Sequence, residues 1–199
     1  MVYRLLTFVL RPLAWWGRLR VTGLELLPET GPVLVVPNHD SQMDPIMIGL
    51  ALRPCRSLRF LGRAELWRNP LLGRILYAAH QIPIARGAQD TAALDEAVAS
   101  LRAGEAICIF PEGRLSRGEP LRARTGVARL AAACPEARII LCAVSGTTDF
   151  VRFPRRPRVG VQLIATGALP SPSEAPQEYA SALLAELRRC VPPQQAGRG

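Results

Sequence analysis

Short, strongly apolar segments alternate along the chain with longer segments in which apolar positions recur at helical spacing. The apolar segments predict strands at 33–36, 58–61, 82–85, 106–110, 139–144 and 159–164. The segments of helical period predict helices at 45–52, 70–79, 91–103, 125–133 and 178–190. Strands that are apolar on both faces and are separated by helices are typical of a sheet covered on two sides. The pattern therefore predicts a single α/β domain with a mostly parallel central sheet covered by helices, and functional residues in the loops at the strand ends.

The first segment, 1–20, predicts an amphipathic helix that lies at a membrane interface. Its polar stripe carries Arg4, Thr7, Arg11 and Arg18. Large apolar side chains, including Trp15 and Trp16, fill the rest of the circumference, and indole rings favour the headgroup level of a bilayer. The charges leave fewer than the roughly 20 uncharged residues that a membrane span needs. Two alternatives are a secretory signal, for which no small-residue cleavage site is present, and a helix packed on the domain's own core.

These patterns divide the chain into three parts. Residues 1–20 form the interfacial helix, and residues 21–190 form the α/β domain. Residues 191–199 lack apolar periodicity, so we predict a disordered tail.

Composition adds a strongly basic charge. The 199 residues include 25 basic side chains, all of them Arg, against 16 acids, which gives a net charge of +9. This excess predicts a partner rich in phosphate, and both nucleic acid and anionic lipid headgroups meet that description. The five Cys residues are odd in number and show no C-x-x-C spacing, which argues against a disulfide framework and a zinc site. We predict a reducing cytoplasmic environment and no metal.

The pair His39 and Asp44 is the first candidate for chemistry, because a carboxylate can orient an imidazole for general-base catalysis. On an ideal helix, residues five apart are separated by about 140°, so a turn must bring the two side chains together. The predicted strand before His39 and the predicted helix starting at Pro45 leave room for that turn. The alternative is that Asp44 only caps its helix and His39 is an ordinary loop residue.

The second candidate is the segment 110–118, Phe-Pro-Glu-Gly-Arg-Leu-Ser-Arg-Gly, which follows a predicted buried strand. It combines a glycine turn with two Arg and a hydroxyl, which suits a phosphate group. The alternative is a surface turn with solvated charges.

The chain resembles the glycerolipid acyltransferase family, which includes 1-acylglycerol-3-phosphate acyltransferase and carries an H-x4-D block and an F-P-E-G block. The resemblance rests on Asn38-His39 with Asp44, followed by Phe110-Pro111-Glu112-Gly113. The segment 62–86 is similar to the family's middle block, and the likeness covers roughly 21–167. The resemblance implies that His39 is a general base and Asp44 its partner. It also implies that Arg86 binds the acceptor's phosphate and that Glu112 and Gly113 belong to the acceptor-binding loop. From the two Arg and the hydroxyl of that loop, we expect Arg114 to bind the phosphate as well and Ser116 to contact the acceptor. Three positions depart from the family pattern. Arg114 and Leu115 differ because Arg114-Leu115-Ser116 stands where Thr-Arg-Ser is commonest, and Cys142 stands where Pro is frequent.

By this resemblance we expect an O-acyltransferase that moves a fatty acyl group from a thioester, acyl-CoA or acyl carrier protein, to a lysophospholipid such as 1-acylglycerol-3-phosphate. No cofactor beyond the thioester co-substrate and no nucleic acid partner are expected, and the expected location is the cytoplasmic face of the cell membrane, at an anionic surface. Oligomeric state is open. Alternatives are another lysolipid acceptor, a hydrolase, an inactive lipid-binding relative, and a basic nucleic-acid-binding domain. His39→Ala or Asp44→Ala is expected to abolish transfer and leave the fold intact.

Overall fold

A computed structural model describes residues 2–85, 91–152, 154 and 156–195. In this part of the chain, seven strands form one sheet in the order β1-β7-β6-β2-β5-β3-β4. The strands are β1 (Arg20–Thr22), β2 (Val33–Pro37), β3 (Leu58–Arg63), β4 (Ile82–Ile84), β5 (Ala106–Cys108), β6 (Arg138–Ser145) and β7 (Gly160–Ala165). Among the described strand pairs, β6 and β7 are antiparallel and the others are parallel. The predicted single α/β domain with a mostly parallel sheet is therefore confirmed.

Six α-helices occur in the described residues: α1 (Val2–Trp16), α2 (Asp44–Leu52), α3 (Pro70–Ala78), α4 (Thr91–Arg102), α5 (Gly126–Ala133) and α6 (Pro176–Cys190). Short 3-10 turns lie at Leu24–Leu26, Ala64–Arg68 and Thr147–Val151. The helices predicted inside the domain are all present, with ends that differ by one or two residues.

The central strand β2 shows how the sheet receives a hydrophobic layer on each face. Its alternating residues Leu34 and Val36 pack with α4, α5 and α6, whereas Val33 and Val35 pack with α2 on the other face. All four side chains are fully buried. Burial of such side chains stabilises the fold by about 1.5–3 kcal/mol each.

The strand order brings two carboxyl ends together at one edge of the sheet. Strand β2 lies between β5 and β6 and is parallel to both, so the carboxyl ends of the three strands lie at the same edge of the sheet. The loop 38–43 after β2 and the loop that begins at Ile109 after β5 are therefore neighbours. This is the edge at which ligands bind in open α/β sheets.

Two predicted boundaries change, and one strand was not predicted. The N-terminal helix ends at Trp16, because Gly17 and Arg18 form a turn in which Arg18 has a φ of 47°, and Arg20 begins an edge strand. The sequence pattern missed that strand because Arg-Val-Thr has a single apolar residue and two exposed ends, whereas the equally short β4 and β5 are apolar. The predicted tail begins too early, since Val191 is buried and the amide of Gly146 donates to Gln194 Oε1 at 3.3 Å. Residues 196–199 lie outside the described part of the chain.

Helix α1 leaves large apolar side chains in contact with solvent. Phe8, Val9 and Trp15 are each more than 60% exposed. No helix in the described residues is both long enough and apolar enough to cross a membrane. The side chains of residues 2–5, including Arg4 of the predicted stripe, lie outside the description, and the membrane-interface role of α1 stays a prediction.

Candidate active site

His39 and Asp44 meet in the turn between β2 and α2. The Nδ1 atom of His39 lies 3.2 Å from Oδ2 of Asp44. The Asp44 side chain is fully buried, whereas the imidazole remains 19% exposed. Since the carboxylate accepts, Nδ1 carries the hydrogen and Nε2 keeps its lone pair as an acceptor. The pair has the arrangement that a general base requires.

The Asp44 carboxylate also organises the loop that brings the two residues together. Its Oδ2 accepts from the backbone N–H groups of Asp40 and Ser41, each at 2.8 Å, and its Oδ1 accepts from the hydroxyl of Thr147. These bonds fold the loop around the carboxylate, and they bring His39 and Asp44 into contact although the two residues are five positions apart. The alternative, that Asp44 only caps α2, is wrong, because its carboxylate accepts from amides that precede the helix.

Asn38 fastens the start of the same loop to strand β6. Its side-chain amide donates to the carbonyl of Val144, and its Oδ1 accepts from the Val144 N–H, at 2.8 and 2.7 Å. The fully buried side chain thus continues the β2–β6 pairing beyond the last ladder residue. The residue before His39 is held in place from the neighbouring strand.

Aromatic rings form one wall of the site. The imidazole of His39 stacks on Phe110, with ring centroids 4.1 Å apart, and Phe60 lies 6.4 Å beyond Phe110. This stack limits rotation of the imidazole about its side-chain torsions. The hydrogen bond to Asp44 and the ring of Phe110 together fix the direction of Nε2.

The segment 110–118 packs directly against the His39 loop. Backbone contacts hold His39 on both sides: its N–H donates to Oε2 of Glu112, and its carbonyl accepts from the Ser116 N–H, both at 2.8 Å. The Ser116 hydroxyl donates to Asp40. The two segments singled out in the sequence therefore form one site.

The residues predicted for the acceptor loop differ in their exposure. Glu112 and Ser116 are 2% and 3% exposed, and their polar atoms face the interior. Their contacts hold the His39 loop, and the geometry favours that role over direct contact with an acceptor. Gly113, with a φ of 66°, and Arg114 are exposed at the edge of the site. Arg86 lies outside the described residues.

Sequence reasoning missed Arg188, which enters the site from the last turn of α6. Its guanidinium binds Asp40 through two nitrogens at 2.8 and 2.9 Å, and its Nε lies 2.8 Å from Glu112 Oε1. A helical arginine 148 residues from Asp40 carries no local signal of this contact.

The shared guanidinium affects the two carboxylates differently. Burial would raise the pKa of Asp40, but the hydrogen bonds from Arg188 and Ser116 outweigh burial and hold that pKa below its ordinary value. Burial dominates at Glu112 and raises its pKa, although Arg188 opposes the shift. Asp40 accepts from Ser116 and Asn38 as well as from both ends of the guanidinium, whereas the neighbouring charge of Asp40 adds to burial at Glu112, so Asp40 is stabilised more as an anion.

Among the described residues, no group of three or more His, Cys, Asp or Glu side chains is arranged to hold a metal ion. The five cysteines are free thiols, of which Cys108, Cys134 and Cys142 are buried. Burial raises the pKa of the Cys134 thiol to about 11, so this sulfur is a poor nucleophile at neutral pH.

Comparisons with known proteins agree with this geometry. Residues 18–146 match the family model described as Acyltransferase. The lyso-ornithine lipid O-acyltransferase of Pseudomonas aeruginosa is 36% identical over 65% of this chain and 49% of its own length. The 1-acyl-sn-glycerol-3-phosphate acyltransferase of Bacillus subtilis is 27% identical over 53% of each chain. The chain thus matches about half the length of these relatives.

The fold also has a counterpart among solved structures. The crystal structure of the 1-acyl-sn-glycerophosphate (LPA) acyltransferase PlsC from Thermotoga maritima superimposes with a TM-score of 0.64 over 92% of this chain and 78% of that chain. At 22% sequence identity, this likeness shows a shared fold alone. With the family match spanning most of the domain and both signature segments meeting at one edge of the sheet, the chain belongs to the acyltransferase family.

Proposed function

We propose that this protein transfers a fatty acyl group from a thioester to the hydroxyl of a lysolipid. The observation that carries the proposal is the imidazole of His39, which is held by Asp44 and Phe110 with Nε2 available at the edge of the sheet. Membership of the acyltransferase family supports the same reaction. As donor we propose acyl-CoA or an acyl carrier protein thioester, with no further cofactor.

His39 supplies the proton transfers of this reaction. Its Nε2 takes the proton of the acceptor hydroxyl while the oxygen attacks the thioester carbonyl, and Asp44 stabilises the imidazolium that forms. The tetrahedral intermediate then collapses, the carbon–sulfur bond breaks, and the imidazolium returns the proton to the leaving thiolate. The products are the acylated lipid and a free thiol, and no covalent enzyme intermediate is required.

For the acceptor, we propose 1-acylglycerol-3-phosphate, which would yield phosphatidic acid. The exposed Arg114 at the edge of the site and the net charge of +9 support an anionic headgroup. Arg86 is proposed as a second phosphate ligand on the basis of the family resemblance. The relatives' names include both a glycerophosphate and an ornithine-lipid acceptor, so the alternative is another lysolipid.

The acceptor is identified by incubating the purified protein in detergent with labelled acyl-CoA or acyl carrier protein and a panel of lysolipids. Mass analysis of the lipids should show label in phosphatidic acid when 1-acylglycerol-3-phosphate is supplied. Label in another lysolipid alone would correct the acceptor. Release of free fatty acid without an acylated lipid would contradict acyl transfer and favour a hydrolase.

We also propose that the protein lies on an anionic membrane surface at the cytoplasmic face of the cell membrane. Helix α1 exposes Phe8 and Trp15, and the adjoining α3 exposes Leu71 and Tyr77. Arg156 stacks over the Trp15 ring at 4.4 Å and donates to the Trp15 carbonyl at 3.0 Å, which places a cation beside the exposed indole. Apolar side chains flanked by cations suit the interface of an anionic bilayer.

Vesicle sedimentation tests this surface. The protein should bind phosphatidylglycerol vesicles, and Phe8→Ser should weaken binding about 10- to 150-fold because burial of a large apolar side chain is worth about 1.5–3 kcal/mol. Neutral phosphatidylcholine vesicles serve as the control and should bind less protein. Equal binding to both vesicles, unaffected by salt and by Phe8→Ser, would contradict the proposed surface.

A further inference from the structure

Arg188 is the one side chain that joins helix α6 to both loops of the candidate active site within the described residues. Its side chain is 13% exposed, and the carboxylates of Asp40 and Glu112 on either side of it are each 1% exposed. Two carboxylates buried this close together repel each other unless a cation lies between them. The guanidinium supplies that cation and enough donors to bind both.

The two carboxylates in turn hold His39. Oε2 of Glu112 accepts from the His39 N–H, and Asp40 binds the hydroxyl of Ser116, whose own N–H donates to the His39 carbonyl. The backbone on both sides of the imidazole is therefore fixed by groups that depend on Arg188. The guanidinium itself is not in direct contact with the His39 side chain among the contacts of the described residues.

We propose that Arg188 is a positioning residue that sets the location of the His39 imidazole from the C-terminal helix. This inference rests on the proposed role of His39 as general base. Loss of the guanidinium would let the two carboxylates separate, and the His39 backbone would move with them. A displacement of the reacting group by about 1 Å can lower a rate by about a hundredfold.

The docking of α6 has a separate basis, so the role of Arg188 can be tested in a folded protein. The apolar face of α6 packs on the core through Tyr179, Ala180, Leu183 and Leu187, all at most 3% exposed. Arg189, the next residue, is exposed. It offers a control with the same side chain on the same helix.

The experiment compares Arg188→Gln, Arg188→Lys and the control Arg189→Gln in the thioester assay, with the thermal melt of each variant recorded first. Assays are run well below each melting temperature. For Arg188→Gln we expect kcat to fall about ten- to a hundredfold, with the KM for the lysolipid within about threefold of wild type. For Arg188→Lys we expect partial recovery, because the ammonium keeps the charge but lacks the planar fork that binds both carboxylates. Arg189→Gln should match wild type.

Folded Arg188→Gln with wild-type kcat, or with a loss confined to KM, would overturn the inference. If Arg188→Gln does not fold, Arg188→Lys decides: a loss of about threefold or more in kcat supports the inference, and wild-type kcat overturns it. An inactive wild-type protein would reject the proposed function together with this role of Arg188. An active wild-type protein with an equally active Arg188→Gln variant would reject the positioning role alone.

Discussion

Replacing Asp44 by Asn removes a charge from the site while keeping the shape of the side chain. In the structure, Oδ2 accepts from His39 and from two backbone amides, and Oδ1 accepts from the Thr147 hydroxyl. The Asn carbonyl can take the place of Oδ2 and keep its three donors. The new NH2 group then faces Thr147, whose hydroxyl can accept as well as donate. We therefore expect Asp44→Asn to fold with a melting temperature close to that of wild type.

The expected effect on rate follows from the imidazolium that forms during the reaction. A hydrogen bond to a charged group contributes about 1.5–3 kcal/mol, more than a neutral one. Because Asn keeps a neutral hydrogen bond worth about 0.5–1.5 kcal/mol, the transition state loses only the difference, about 1–1.5 kcal/mol, which lowers kcat about 5- to 12-fold at about 1.4 kcal/mol for each factor of ten. Because the substitution leaves the surface of the site unchanged, KM should change little.

Alanine at position 44 has a different effect, and the expectation that it would leave the fold intact needs correction. Asp44→Ala leaves three donors without an acceptor: the buried N–H of Asp40, the buried hydroxyl of Thr147 and the partly buried N–H of Ser41. At about 1–3 kcal/mol for each group, the total approaches the entire stability of a domain, about 5–15 kcal/mol. An inactive Asp44→Ala protein would therefore report lost structure as much as lost chemistry.

The assay measures initial rates of acylated lipid formation for wild type, Asp44→Asn and the control Asp95→Asn. Asp95 is an exposed carboxylate on α4, so its loss should leave the rate unchanged. Circular dichroism and thermal melts establish that each variant is folded. A folded Asp44→Asn protein whose kcat stays within twofold of wild type would refute the role of the carboxylate.

Two further predictions concern stability. Alanine at Gly146, which has a φ of 75°, would place a Cβ 2.1 Å from the Arg158 carbonyl oxygen, whereas at Gly31 (φ 82°) a Cβ meets nothing within 4 Å. Urea titration should show that the free energy of unfolding falls by about 2–5 kcal/mol for Gly146→Ala and by about 1–2 kcal/mol for Gly31→Ala. Equal losses would contradict the structure. The lowered pKa of Asp40 stabilises the fold above the ordinary value of 3.8, and this stability is lost as pH falls through the lower folded pKa. Asp40→Asn should therefore flatten the fall in the free energy of unfolding at acid pH. Glu112 contributes with the opposite sign, because its raised pKa favours the folded state as pH falls. A slope of unfolding free energy against pH equal to that of wild type would disprove the assignment to Asp40.

Local sequence patterns predicted most of the architecture. Strand β2 and helix α6 follow from apolar runs and helical period, because both elements bury a continuous face that the sequence displays directly. The His39–Asp44 contact was also predictable. The two residues lie between a predicted strand and a predicted helix, where a turn of the chain can bring residues five apart together. The edge strand β1 was missed because its sequence, Arg-Val-Thr, has one apolar residue and exposed ends, unlike the equally short apolar strands β4 and β5.

Long-range contacts were beyond local patterns. Arg188 lies 76 residues from Glu112 and 148 from Asp40, and its charged side chain resembles any solvent-exposed arginine on a helix. The sequence also suggested Glu112 and Ser116 as acceptor contacts, whereas their burial directs their polar atoms into the domain. Only the packing of α6 against the two loops reveals that these side chains hold the backbone around His39 in place.

The claim that Nε2 of His39 is the general base is tested most directly by His39→Asn. The Asn amide can still donate to Asp44, so the loop is kept while the base is removed. His80→Asn is the matched control, because His80 is exposed and its φ of 55° is one that Asn tolerates. We expect folded His39→Asn to transfer labelled acyl groups about 10²- to 10⁴-fold more slowly than wild type, and His80→Asn to match wild type. A folded His39→Asn protein with the wild-type rate would contradict the mechanism.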